Sequence, residues 1–199
     1  MEPQILIGIC TSDYVRPQTV TSLIAARDTL LHKGVGVAVS IQEGGYKPHN
    51  LNRIVKHAQD EGFTHFMSID NDMIFPSSGI LRLLDADKDI IGANYNQRTT
   101  GLSGDDRIAT VKFADKNGKL IHQEIPSHLF KCYTLGLGFT LMKTSIFDKL
   151  AKPYFRDFES EEGEHHTEDV EFFVKCQKAG LEVWCNPTIE IGHIGKNVI

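Results

Sequence analysis

Short apolar runs alternate with helix-period segments over roughly the first half of the chain, and this alternation restricts the fold more than any other feature. Gln4 to Cys10 reads as a strand in which Ile5, Leu6, Ile7 and Ile9 are nearly continuous, as in a sheet covered on both faces. Pro17 opens a helix to about His32, and Gly34 ends it. Val35 to Ile41 is a second strand, and Gly44 to Pro48 a loop. A helix from about Asn50 to Glu61 repeats Leu51, Ile54, Val55 and Ala58 on one face. Phe63 to Ile69 is a third strand, Pro76 starts a short helix, and Asp89 to Asn94 is a fourth strand. Such a βαβαβαβ order implies right-handed crossovers and a mostly parallel central sheet flanked by helices, an α/β fold.

The second half differs. Asn117-Gly118 marks an antiparallel hairpin between Thr110–Ala114 and Lys119–Gln123. Phe139 to Met142 is a further strand, Glu168 to Ala179 a helix, and Glu182–Cys185 and Thr188–Ile191 short terminal strands. The acidic stretch Glu159 to Glu164 reads as a solvated loop. A chain of 199 residues is long enough for one domain with a real core. Its net charge of −5 gives no general case for a nucleic-acid partner. No run approaches a membrane span and no signal peptide is visible, so no transmembrane segment is expected. Cys10, Cys132, Cys176 and Cys185 lack metal spacing and suit reduced, packed thiols, which points to the cytoplasm.

The third strand stops against Asp70, Asn71 and Asp72. Ligands of open α/β sheets bind at the carboxyl ends of strands. Two carboxylates there suit a hard divalent cation, although Asp and Asn also form ordinary turns. Three later features bear on the same site. Thr167 caps a helix whose first turn holds Glu168 and Asp169, positions that the helix dipole alone favours for acids. His193 follows a strand between glycines and suits a cation already held by carboxylates. Gly136-Leu137-Gly138 allows either close backbone approach or a tight bend.

In that order, THFMSIDNDMIFP, GLGF and HTEDVEFFVKCQKAGLEVWCNPTIEIGHIG resemble a nucleotide-sugar-dependent glycosyltransferase of the GT-A fold, near the inverting family-2 type. The resemblance runs from about Ile5 to Gly195. It implies one GT-A (Rossmann-like) domain over 1–199, with residues 1–95 binding nucleotide and 96–199 serving acceptor and catalysis. It implies an enzyme moving a sugar from a nucleotide-diphosphate sugar, preferably a UDP-sugar, to an acceptor hydroxyl. Asp70-Asn71-Asp72 matches the DxD motif, His193 the histidine that completes a Mn2+ or Mg2+ site, and Asp169 the general base of the xED motif. Gly136, Leu137, Gly138 and Glu168 fall beside the donor sugar and acceptor, with Tyr95 and Arg98 as further candidates there. Thr11, Gln42 and Arg53 lie where the family binds nucleotide.

The acceptor stays open between glycan, lipid-linked carrier, protein and modified DNA. A phage-type enzyme acting on hydroxymethylated bases would need Arg98, Lys112, Lys116, Lys119 and Lys131 on one basic face. A sugar-phosphate nucleotidyltransferase is a rival, but GICTSDYVRP is poor in glycine after the first strand. A two-metal nuclease calls for a more basic chain, and a non-catalytic nucleotide-sugar binding module is the remaining alternative.

Overall fold

Glycine at position 8 lets a helix settle on the first strand, and much of the architecture follows from that approach. In the computed structural model, which describes residues 2–96, 108–116, 118–159 and 165–194, a Cβ at Gly8 would lie 2.7 Å from Phe66 and 2.9 Å from Ile54. The strand is β1 (Gln4–Thr11), and Ile54 belongs to α2 (Lys47–Asp60). Leu6 shares one core cluster with Leu51, Ile54, Val55 and Ala58 of α2 and with Phe172, Phe173 and Cys176 of a later helix. Ile5, Ile7 and Ile9 point the other way, into a cluster with Leu23, Ala26 and Leu30 of α1 (Pro17–His32) and with Ile80 and Leu83 of α3 (Gly79–Asp85). The period-2 alternation of β1 therefore makes a sheet covered on both faces, giving three layers.

The strands continue as β2 (Gly36–Glu43), β3 (His65–Asp70), β4 (Met73–Ile74), β5 (Ile90–Gly92), β6 (Phe113–Ala114), β7 (Leu120–Ile121), β8 (Phe130–Cys132), β9 (Phe139–Lys143), β10 (Phe158–Glu159), β11 (His165–His166), β12 (Val183–Cys185) and β13 (Gly192–His193), with α4 (Glu168–Lys178) before β12. The central sheet has the order β2-β1-β3-β9-β5-β12-β8. Strands β1, β2, β3, β5 and β12 run in one direction, while β9 and β8 oppose their neighbours. This is the expected mostly parallel α/β sheet. The expected hairpin is present as β6–β7, with Gly118 at φ 81°. No helix among the described residues is long and apolar enough to cross a membrane.

Two expectations need correction. Helix α2 starts at Lys47, not Asn50, because Pro48 is tolerated in a first turn. Thr188–Ile191 is not a strand: Asn186 Oδ1 accepts from the Thr188 backbone N–H (3.2 Å), an Asx-type turn that diverts the chain. The pairing occurs two residues later, where β13 meets β4, with His193 opposite Met73. Strand β9, whose direction the sequence leaves open, runs antiparallel between β3 and β5. Arg98, Asn117, Gly195 and residues 160–164 of the acidic stretch lie outside the described residues.

Candidate functional site

Asp70 ends β3 in register with Cys10 of β1, which itself pairs with Gln42 of β2, so the three share the face that α2 covers. The N-terminus of α2 brings Lys47 over this row. Its Nζ donates to Asp70 Oδ1 at 2.9 Å and lies 3.0 Å from Glu168 Oε1 at the start of α4. Burial opposes the charge on Lys47, but the Asp70 and Glu168 carboxylates outweigh it and hold the ammonium well above its ordinary pKa. Burial pushes the adjacent Cys10 thiol up to about 11, against the pull of Lys47.

Asn71 turns the chain and fastens the β1–α1 loop. Its side-chain amide donates to Thr11 Oγ1 (3.0 Å) and to the Tyr14 carbonyl (2.8 Å). Its own carbonyl accepts from the Arg16 backbone N–H (2.8 Å) and from Thr19 Oγ1 (3.1 Å). The loop so held forms one wall of a cleft of about 280 Å³ whose lining includes Thr11, Tyr14, Arg16, Lys47, Asn71 and Asp72.

Asp72 is 2% exposed and faces His193, with Nε2 3.4 Å from Oδ1. His193 Nδ1 lies 2.9 Å from the Asn96 carbonyl, a contact that orients the ring so that Nε2 faces the carboxylate. Tyr95 packs edge-on against the imidazole at 5.3 Å. Its hydroxyl accepts from the Gly138 backbone N–H at 2.8 Å, and Gly138 in turn offers its carbonyl to the Asp70 N–H at 3.1 Å. A Cβ on Gly138 would meet Met73 at 2.4 Å, the Tyr95 hydroxyl at 2.5 Å and Asp70 Oδ2 at 2.7 Å; one on Gly136 would meet that hydroxyl at 2.2 Å. Close packing against Tyr95 is thus why both positions are glycine, and Leu137 between them is buried core. Burial first, then the nearby Asp70 charge, drives the Tyr95 phenol well above its ordinary pKa; Asp169 adds in the same direction.

At the mouth of α4, Thr167 is the N-cap, and its hydroxyl bonds Asp169 Oδ1 rather than a backbone N–H. Asp169 is half-buried and also accepts from the Val170 N–H at 2.8 Å. Behind it, Arg156 donates twice to Glu171 Oε1 (3.2 and 3.0 Å). Tyr46, just before α2, donates to Asp157 Oδ2 at 2.5 Å, a second link between α2 and the later half.

The structure therefore gathers Thr11, Asp70, Asn71, Asp72, Tyr95, Gly138, Glu168, Asp169 and His193 at one end of the sheet. Arg53 is exposed on α2 and is not among the residues lining the cleft. Arg98 lies outside the described residues. Sequence reasoning missed Lys47 altogether; the signal was a lysine directly before a proline at a helix start, following a strand. The resemblance implied Asp72 as the direct metal ligand with Asp70 assisting through ribose or water; Asp70 meets Lys47 and Asp72 meets His193. Among the described residues no group of three or more His, Cys, Asp or Glu converges as a ready metal site. Asp72 and His193 face each other as a pair.

No protein-family model and no curated protein matches the sequence. The fold is similar to that of A197 from STIV, with a TM-score of 0.61 and 16% identity over 96% of this chain and 85% of that one. It is also similar to a UDP-glucose pyrophosphorylase complexed with UDP-glucose, with a TM-score of 0.52 and 9% identity over 96% of this chain and 92% of that one. At these identities the likeness establishes the fold.

Proposed function

We propose that the chain is a metal-dependent glycosyltransferase that moves a sugar from a nucleotide-diphosphate sugar, preferentially a UDP-sugar, to an acceptor hydroxyl with inversion. Residues 1–95 would bind the nucleotide, and 96–199 would supply acceptor binding and the base. The observation that carries this reading is the meeting, at one cleft edge, of Asp70 at the end of β3 with Glu168 in the first turn of α4 through Lys47.

The donor set at Asp72 and His193 fits Mn2+ or Mg2+. A carboxylate and a neutral imidazole nitrogen suit such a cation when substrate phosphate oxygens and water fill the other positions. A bound cation supplies Lewis-acid stabilisation of charge on the leaving diphosphate. The chain's own residues do the rest. Asn71 keeps the β1–α1 loop against the cleft, where Thr11 and, from the next strand, Gln42 are proposed to meet the nucleoside. Tyr95 and the Gly136–Gly138 turn hold Asp70 in place beside the donor sugar. Asp169 takes the acceptor proton while the acceptor oxygen bonds to the anomeric carbon, and the bonding pair of the glycosidic link departs with the diphosphate. A general base of this kind contributes roughly 10²–10⁴-fold.

The likeness of fold to a UDP-glucose pyrophosphorylase favours one second reading, nucleotidyl transfer between a nucleoside triphosphate and a sugar phosphate. Product analysis separates the two. Incubation with manganese and a panel of nucleotide sugars should release nucleoside diphosphate and a sugar product of inverted configuration by NMR. Pyrophosphate release from UTP and a sugar 1-phosphate, without diphosphate release from any nucleotide sugar, would overturn the glycosyltransferase reading.

A further inference from the structure

We infer that Lys47 binds the donor diphosphate directly, held ready for that contact by Asp70 and Glu168. The inference rests on the proposed use of a nucleotide-diphosphate donor. An ammonium carries three N–H donors. One is given to Asp70 Oδ1 (2.9 Å), and Glu168 Oε1 lies 3.0 Å from the same nitrogen as an ion pair, one acid from each half of the chain. Three N–H groups exceed what these two acids take up. The Lys47 side chain is 37% exposed and lines the cleft, so its open side is the cleft.

Charge makes the same demand. Asp70, Asp72, Glu168 and Asp169 bring four carboxylates to this end of the sheet, and a diphosphate adds further negative charge. Among the described residues, the cationic side chains lining the cleft are Arg16 and Lys47. Arg16 lies over the Tyr14 ring, 4.9 Å from its centre, on the loop side. Lys47 is the cation set among the acids. Two fixed anionic partners also remove the rotamer freedom that a surface lysine gives up on binding, so the contact is preorganised. A fixed N–H aimed at the diphosphate gains strength as charge builds on the leaving oxygen. Lys47 is thus assigned as a further catalytic residue, acting on the leaving group beside the cation.

Calorimetric titration of the wild type and Lys47→Met with UDP and with uridine, in manganese, tests this. GDP with guanosine and dTDP with thymidine run in parallel. Uridine affinity should stay within about twofold, and UDP affinity should fall by roughly tenfold or more, the loss expected for one charge-assisted hydrogen bond. Equal losses for nucleoside and diphosphate would reduce Lys47 to a structural strut, and unchanged UDP affinity would also overturn the inference. Failure of the wild type to bind any of the diphosphates would overturn the donor reading with it, so the two failures are distinguishable. Acetylation of wild-type lysines followed by mass spectrometry decides the matter even if Lys47→Met does not fold. UDP should protect Lys47 and uridine should not; equal modification in both contradicts the contact.

Discussion

His193 Nε2 lies 3.4 Å from Asp72 Oδ1, while the other ring nitrogen faces the Asn96 carbonyl at 2.9 Å. A lone pair and a carboxylate oxygen at that separation attract only through a proton or a cation between them. The Asn96 carbonyl orients the imidazole so that Nε2 faces Asp72. Two paired segments, β4 and β13, hold the arrangement, and the Ile194 N–H donates to the Asp72 carbonyl at 3.0 Å.

Asp72→Asn and His193→Ala should each weaken manganese-dependent UDP binding by roughly 10–100-fold, the range for losing a ligand or its support. Asparagine keeps the volume at a site that is 2% exposed, so the fold should persist. Calorimetry beside a thermal melt reads both quantities. Unchanged metal-dependent affinity in either variant would return that residue to a packing role.

Asp169→Asn should lower turnover by roughly 10²-fold or more, with donor and metal affinity near wild type. Asparagine retains an oxygen for the Thr167 hydroxyl and the Val170 N–H while losing the basic carboxylate. Near-normal turnover, or a product of retained configuration, would require another base or another mechanism.

Gly138→Ala should cost stability and the site together. The new Cβ meets Asp70 Oδ2 and the Tyr95 hydroxyl, so either acid or phenol must move. Overpacking of this kind costs about 1–3 kcal/mol, and each kcal/mol lowers Tm by roughly 2–4 °C in a chain of this size. Tyr95→Phe is milder and strands the Gly138 N–H, a loss of about 1–3 kcal/mol. An unchanged melting temperature in Gly138→Ala would contradict the packing described.

Much of this was legible in the sequence where local chemistry decides the outcome. Pro17 and His32 bound α1 as expected, and the apolar runs of β1 and β3 announced a covered sheet. Asp70, Asp72 and Asp169 stand out in the sequence because acids at strand and helix ends are conspicuous, and the structure brings them to the same end of the sheet as His193. What stayed hidden depends on register and on pairs distant along the chain. The reversal of β9 has no local signature, since residue period is the same in either direction. Strands β4 and β13 are two residues each, too short for any period, yet they place His193. Lys47 was lost because Pro48 was read as loop punctuation, although proline fits the first turn of a helix.

Alkali should destabilise the fold. Burial pushes the Cys10 thiol up to about 11, and those of Cys176 and Cys185 up to about 12, from an ordinary 9.0. The unfolded chain then releases these protons first, so stability is level below the unfolded value and falls as pH rises past about 9 toward the folded values. In reducing buffer, Tm should be flat from about pH 7 to 8 and lower at about pH 10. A Tm that rises over that interval would contradict the burial of these thiols.

Calorimetric titration of the wild-type chain with a panel of UDP-, GDP-, dTDP- and CMP-sugars, in manganese and again in EDTA, bears most directly on the central claim. One nucleotide sugar should bind in manganese and lose most of its affinity in EDTA, with a UDP-sugar the expected ligand. Equal affinity in both conditions would remove the cation from the account, and no binding by any member of the panel would contradict a nucleotide-sugar enzyme altogether.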